Sequence, residues 1–514
     1  MKLIKFFCQL ILTVGLLVAV GTVCEAKLSL GKVFTDHMVL QQEMPIRVWG
    51  TADQEKAVTV AFNGQTKSAQ VNEDGHWRAE LPPMKADGKK HTLRVSMGNE
   101  RLALQNVVLG EVWITAGQSN MNRETAISED HPSIRLFWIH ESTVPRAHDL
   151  GENAMGWLPA EAKTIGPLKS VRERKFGVGH KSGFAEVGWV FGRRLQKQLN
   201  VPVGLIKTAY GGSAARAWTH LPRLTDKYPA GQKVEGRYAG HKPGLLYQSM
   251  MQGLAPMSVR GVVWYQGENN GHDWNYDEEL HKMIESWRKV FEQPKLPFYL
   301  AQIAQTTYAS GMLRVWECQA AIAAKDPNVH LGMSVNLYDS LDSQDKRAVR
   351  IHAGNERDPA TDWPVAGGSN PHPPNKHIVA NRLADLSLLY TYKIDLKKEV
   401  NAPVYHSHRV QGKKCIVKFS NVGSGLKTSK GGAPNWFELS DGTQEKKGDK
   451  MPLIYHKASA KIIGKDTVEV SCSKVKNPVH LRFAWHMLAR QNLENSAGIP
   501  VMNFRTDSQQ SKQR

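Results

Sequence analysis

The sequence predicts an α/β protein: a parallel sheet covered by helices, with β-rich regions before and after it. Three observations carry the prediction. Short alternating apolar–polar segments separated by turn signals fill the stretch from Lys27 to Leu104 and return after Asn401. Between them, buried-type strands alternate with amphipathic helices, the pattern of a parallel sheet. Polar or glycine-rich turns follow several of those strands, which is where open α/β sheets bind ligands.

The elements follow in order. Residues 1–26 read as a signal peptide: Lys2 and Lys5 precede the apolar run FFCQLILTVGLLVAVGTVC, and Ala26 offers a small residue for cleavage. This implies export to the periplasm or the extracellular space, with no membrane span once the signal is removed. The rival reading, a retained anchor, requires a run near the lower length limit for spanning. Residues 27–106 carry IRVWG, AVTVAF and HTLRVSM between the turns NGQ, EDG and ADG, and are expected to form a small sandwich-type β-domain. From residue 107 the period changes. EVWITAG is a strand ending in a glycine turn, and EVGWVFGRRLQKQL places Val187, Val190, Phe191 and Leu195 on one helical face. VPVGLIKTAYGGS and VRGVVWYQGENN are strands that run into polar turns, YDEELHKMIESWRKVF is helical, and PFYLAQIAQ is again a strand. Residues 338–369 form a long polar loop, of the kind that is functional or mobile in a compact domain. The helix HIVANRLADLSLLY closes this unit at residue 397. A second β-domain is expected over 398–506, and 507–514 is a polar tail.

Composition bounds the function. The 514 residues are 41% apolar and 22% charged, as in folded domains, and too many for one core. The net charge of +19 is scattered rather than gathered in an arm, so for an exported chain nucleic acid is excluded as the partner. Five cysteines are present. Cys8 and Cys24 fall in the signal, while Cys318, Cys415 and Cys472 match no metal motif; a Cys415–Cys472 disulfide and three buried thiols both fit.

Four strand-end or loop motifs hold the candidate chemistry. In Gly117-Gln118-Ser119-Asn120-Met121, a serine at a helix start exposes its hydroxyl beside its own N–H, which suits a nucleophile. Alone the motif is weak, because Ser is a common N-cap. Gln118 and Asn120 can fix this turn or line a pocket. Tyr210-Gly211-Gly212-Ser213 lets backbone approach a ligand, with the Gly212 N–H as an oxyanion donor; alone it is an ordinary turn. Trp264 to Asn270 is crowded with hydrogen-bonding groups. Gln266 or Asn270 can donate to an oxyanion and Glu268 can orient a histidine; the plain alternative is a capping cluster. His372 in Asn-Pro-His-Pro-Pro-Asn-Lys is the candidate base. A metal tract with His377 lacks a nearby carboxylate and is weak.

The ordered set GQSNM, GGS, WYQGENN and HPPNK resembles the sialate O-acetylesterase family, a branch of the SGNH hydrolases. The similarity covers nearly the whole mature chain. FTDHMVLQQEMPIRVWG and EDGHWRAELPP resemble the family's N-terminal β-domain, and NVGSGL, VKNPVHLRFAW and GIPVMNFRTD its C-terminal region. The resemblance implies a three-layer α/β/α SGNH-hydrolase-like core with a parallel sheet, flanked by N- and C-terminal β-sandwich-like regions. It implies removal of an acetyl ester from a sugar hydroxyl through an acetyl-enzyme, with no cofactor and no metal. Ser119 matches the nucleophile and His372 the general base. The Ser119 N–H, Gly212 and a side chain of the Gln266–Asn270 stretch match the oxyanion hole.

The chain departs from the family at two kinds of position. Many relatives carry an acid just before the histidine, where this chain has Ser369 and Asn370. Glu268 is the first replacement expected to orient His372, ahead of Asp339 and Asp342; a backbone carbonyl can also do it. Asn122-Arg123 and Arg216 stand where relatives often carry Glu. A positive pocket would favour an acidic glycan such as sialic acid; alternatively Arg216 pairs with an acid. Trp218 would stack on a sugar if exposed and is core if not. The rival functions are an esterase for acetylated xylan or another polysaccharide, and a catalytically silent glycan-binding protein on the same fold.

Overall fold

The structure is a computed structural model. It describes residues 27–52, 57–144, 150, 154–165, 183–220, 222, 242–272, 275–335, 337, 363–365, 370–448 and 451–507. The signal peptide, the tail beyond residue 507 and most of the 338–369 loop, with Asp339, Asp342 and Ser369, lie outside the described residues.

The first β-region is antiparallel. Ile46–Thr51 pairs with His76–Leu81 in the register Ile46↔Leu81 and Val48↔Ala79, so the period-two alternation turns one apolar row inward. Val58–Phe62 lies between Gln65–Ala69 and His91–Met97. The last of these pairs with the outer half of β1, an 18-residue strand spanning Glu100–Gly117. Along β1 the burial changes from alternating to continuous at Val107. Asn106 there has φ 56°. The expected boundary at 106/107 thus falls inside one strand, at the point where it leaves a half-exposed sheet and enters a covered one.

The remaining core strands are β2 (His131–Ile139), β3 (Ala154–Ala160), β4 (Val203–Ala209), β5 (Gly261–Tyr265), β6 (Phe298–Ala301) and β7 (Val329–Gly332). Their order is β3-β2-β4-β1-β5-β6-β7. All run parallel except the edge strand β3. Helices α1 (Ser119–Asn122), α2 (Glu186–Leu199), α3 (Tyr276–Val290), α4 (Met312–Lys325) and α5 (His377–Tyr390) complete the unit. Both sheet faces are covered. Val112, Ile114 and Ala116 of β1 pack with Leu280, Met283 and Trp287 of α3 and Val315 of α4. Trp113 points the other way, onto Phe191 of α2, in a cluster with Val379 and Leu383 of α5. Burial on both faces is why these strands read as continuous apolar runs. The chain fills β2 to β4 on one side of β1 and then crosses to β5, β6 and β7 on the other. This switch opens a crevice beyond the carboxyl ends of β4, β1 and β5.

The C-terminal region adds two four-stranded antiparallel sheets. Val404–Gln411, Lys414–Ser420, Thr467–Ser471 and Ser459–Ile462 build one; His456–Lys457, Phe437–Ser440, His480–Phe483 and Phe504–Arg505 build the other. A bidentate ion pair from Arg505 to Glu317 of α4, at 2.7 and 3.0 Å, ties this region to the core. Cys318, Cys415 and Cys472 are free thiols. Cys415 pairs across the ladder with Val470, so Cys472 is its diagonal neighbour, farther than a disulfide spans. Among the described residues no helix is long and apolar enough to cross a membrane.

Candidate active site

Gly117 ends β1 with φ 145°, and a Cβ there would meet the Tyr265 carbonyl oxygen at 2.1 Å. Only glycine lets the strand close on β5 and turn. The Gln118 N–H then donates to the Tyr265 carbonyl (3.0 Å), and Ser119 opens α1 half-buried. First-turn N–H groups have no partner within their helix, and among the described residues that of Ser119 meets no acceptor.

His372 approaches from the loop ahead of α5. Its Nε2 lies 2.7 Å from Ser119 Oγ, and its Nδ1 lies 2.8 Å from Asn370 Oδ1. That Oδ1 also accepts the His372 backbone N–H at 3.1 Å, which fixes it as an acceptor. Nδ1 therefore carries the ring proton and Nε2 accepts from the serine hydroxyl. Burial, with the charges of Lys376 and Arg123, lowers the imidazole pKa to about 4. The ring is neutral at neutral pH, and a half-buried hydroxyl hydrogen-bonded to a neutral imidazole can act as a base-activated nucleophile.

Glu268 does not orient His372. It is fully buried beneath α1, where Oε1 accepts from Asn120 Nδ2 at 2.6 Å. Asn120 Nδ2 also donates to the Pro371 carbonyl at 2.9 Å, so Asn120 bridges the acid to the histidine loop, whose Lys376 adds a charge interaction with it. Burial lifts the Glu268 pKa to about 7 against the pull of its own backbone N–H, Asn120 and Lys376. The group facing Nδ1 is Asn370, an amide where an acid was expected.

The expected oxyanion side chains also turn inward. Gln266 Nε2 donates to the Ser213 carbonyl (2.9 Å) and to Asn270 Oδ1 (2.6 Å). Asn270 Oδ1 accepts the Ala215 N–H (3.0 Å), and its Nδ2 donates to Glu279 (2.9 Å). Both are wholly buried, and a buried amide must be satisfied by its neighbours. Their neighbour Asn269 does reach the glycine turn, with Nδ2 2.7 Å from the Gly212 carbonyl. Gly212 has φ 68°, and among the described residues nothing lies within 4 Å of where a Cβ would sit, so the space beside this turn is open.

Three substrate expectations change. Arg216 is 4% exposed and bonds Glu279 at 3.1 Å, inside the fold rather than at a pocket mouth. Trp218 is fully buried, with Nε1 on Ser213 Oγ (2.9 Å) and its ring edge-on to Trp264. It is core, and no face is open to a sugar. Gln118 is buried next to Ser119, and its Oε1 has no partner among the described residues. Arg123 is exposed. His377 is exposed with its ring 3.5 Å from Glu186, and the described residues contain no group of three metal-ligating side chains.

Three site residues were missed. Asn370 carried a signal: an Asn two residues before a histidine can accept that residue's N–H in an Asx turn. Asn269 was passed over for its neighbours. Glu141, just past β2, carried none. Its Oε1 accepts the Gly211 N–H at 3.0 Å and Asn122 Nδ2 at 2.8 Å.

Residues 109–351 match the family model described as carbohydrate esterase, sialic acid-specific acetylesterase. The chain is 27% identical over 376 residues to the human protein named sialate O-acetylesterase, covering 62% of this chain and 68% of that one. The mouse protein of the same name is 25% identical over 399 residues, with 62% and 71% covered. The crystal structure of a carbohydrate acetylesterase from Xanthomonas citri superposes with a TM-score of 0.73 at 27% identity, over 93% of this chain and 99% of that one. A serine–histidine pair at the switch point of such a sheet is the kind of site an ester hydrolase needs, and the chain, similar over residues 109–351 to the sialic acid-specific acetylesterases among the carbohydrate esterases, is a carboxylic ester hydrolase.

Proposed function

We propose that the protein is an exported serine carbohydrate O-acetylesterase with an SGNH-hydrolase-type core. The esterase unit spans residues 107–397, between β-domains at 27–106 and 398–506 and behind a signal peptide at 1–26. The observation that carries the reading is the 2.7 Å contact of Ser119 Oγ with His372 Nε2, beside a Ser119 N–H that meets no acceptor among the described residues and the turn at Gly212. Ser119 Oγ attacks the acetyl carbonyl carbon while Nε2 takes the hydroxyl proton. The Ser119 and Gly212 N–H groups and the Asn269 amide receive the oxyanion, in place of Gln266 and Asn270. The sugar oxygen leaves with the proton from Nε2. Water, deprotonated by the same nitrogen, then attacks the acetyl-enzyme; the bond from the acyl carbon to Ser119 Oγ breaks, Oγ takes the proton back from Nε2, and acetate leaves. Asn370 holds the tautomer through Nδ1–H but, as a neutral amide, stabilises the imidazolium less than a carboxylate does.

The substrate is an acetylated glycan. Of the two cations expected at the pocket, Arg216 is paired inside the fold, whereas Arg123 is exposed and its charge reaches His372. Arg123 supports an acidic sugar such as an O-acetylated sialic acid; the loss of Arg216 favours the second reading, a neutral polysaccharide such as acetylated xylan. Acetate release from a panel containing both, alongside an aryl acetate, decides between them. A folded protein that releases acetate from none of these would overturn the esterase reading in favour of a silent glycan-binding protein.

A further inference from the structure

We infer that Glu141 is a specificity residue of this site: it accepts a hydrogen bond from a sugar hydroxyl next to the acetylated position, so the preferred substrates are partially acetylated sugars with a free neighbouring hydroxyl. The inference rests on the esterase reading. Glu141 is half-buried just past the carboxyl end of β2. Its Oε1 is fixed by two donors, the Gly211 N–H (3.0 Å) and Asn122 Nδ2 (2.8 Å). Its Oε2 has no hydrogen-bond partner among the described residues, and Glu141 forms no ion pair among them. A Cβ placed on Gly211 would lie 3.7 Å from Glu141 Oε1 and 4.0 Å from Ser119 Cβ, so carboxylate and serine flank the same glycine. A side chain at 211 would fill the space between them; glycine leaves it for a ligand.

The chemistry follows from this placement. A half-buried carboxylate with one oxygen tethered holds its other oxygen in place, an acceptor with little freedom left to lose. Hydrogen bonds to a charged group are the strong ones, and a sugar hydroxyl is the donor that an acetylated glycan brings closest to its own ester. A peracetylated sugar has no such donor. A simple aryl acetate has none either, which supplies the control.

The test compares wild type with Glu141→Gln on three esters: 4-nitrophenyl acetate, a monoacetylated methyl xyloside and its peracetylated counterpart. Glutamine keeps an acceptor for Gly211 and Asn122 but replaces the open oxygen with an NH2 group. Wild type should prefer the monoacetylated sugar over the peracetylated one. In Glu141→Gln the kcat/KM for the monoacetylated sugar should fall about tenfold further than that for 4-nitrophenyl acetate, chiefly through KM, and the preference should vanish. Equal losses on all three esters, meaning that Glu141 only shapes the Gly211 turn, would overturn the inference, as would no loss on any. A wild type that cleaves 4-nitrophenyl acetate without preferring the monoacetylated sugar sinks the inference alone. Turnover of none of the three esters sinks the esterase reading along with it. Thermal melting of the variant separates misfolding from altered specificity, and Glu141→Asp, which keeps the charge, should recover part of the preference.

Discussion

Beyond the carboxyl ends of β4 and β5 two polar clusters lie side by side, and they differ in kind. The outer one, Ser119, His372 and Asn370 with the Gly212 turn, is half-buried and carries N–H groups that meet no acceptor among the described residues. The inner one, Gln266, Asn270, Glu279 and Arg216, is sealed, each member bonded to the next. The contrast runs against first appearance. WYQGENN is the motif with the most hydrogen-bonding side chains, yet most of them face inward, because polar groups at the end of a buried strand must satisfy one another. GQS and the proline-rich histidine loop offer fewer groups and present them outward. The inner cluster joins the ends of two strands; the outer one faces the crevice.

The division is broken most directly by Ser119→Ala. If the outer cluster performs the chemistry, turnover of 4-nitrophenyl acetate should fall about 10⁴-fold or more while the melting temperature stays put. Retention of a tenth of wild-type turnover would end that assignment. Arg216→Ala probes the inner side. It leaves Glu279 buried without its cation and should destabilise the fold by about 3–5 kcal/mol in denaturant unfolding. Activity per folded molecule should change equally on acidic and neutral acetyl sugars. Selective loss on acidic sugars at normal stability would return Arg216 to the pocket.

A smaller effect tests the partner of the base. With the His372 pKa lowered to about 4, the acid limb of kcat/KM should lie near pH 4, well below that of a free imidazole, because the ring must be neutral to take the serine proton. Asn370→Asp places an anion on Nδ1–H. An opposite charge favours the protonated ring, so the limb should move up by about one to two pH units. An unmoved limb would mean that Asn370 is not what holds Nδ1.

The fold was largely legible because its signals are local and periodic. Continuous apolar strands, the amphipathic face of α2 and the glycine at the end of β1 each reflect a rule about neighbours in the chain. The pairing of Ser119 with His372, 253 residues apart, came through family resemblance and not through any local pattern. What sequence could not give was the direction of side chains at a strand end. Gln266, Glu268 and Asn270 differ from Asn269 only in which way they turn, and three-dimensional packing decides that. Arg216 and Trp218 failed as site residues for the same reason: the short helical turn after Ala214 points them at Glu279 and Trp264. Glu141 was invisible because it joins the site only when β2 lies beside β4.

Glu268 lies between the two clusters and gives the finest test. Burial raises its pKa from 4.5 to about 7, so the folded chain keeps a proton that the unfolded chain has already released between those values. The stability this group contributes is therefore greatest below about pH 4.5 and is lost as pH rises to about 7, by about 3 kcal/mol. Glu268→Gln keeps an acceptor for Asn120 and does not titrate, so its denaturant stability should lose about 3 kcal/mol less than wild type between pH 5 and pH 8. Its turnover should fall less than about tenfold, since the acid is linked to the histidine loop through Asn120, the Pro371 carbonyl and the charge of Lys376, while Asn370 is the group on Nδ1. A loss as deep as that of Ser119→Ala, with Asn370→Ala harmless, would instead make Glu268 the third member of the triad. The acid would then have to reach Nδ1 in a conformation where Asn370 has let go of it, and the inner and outer clusters would be one machine.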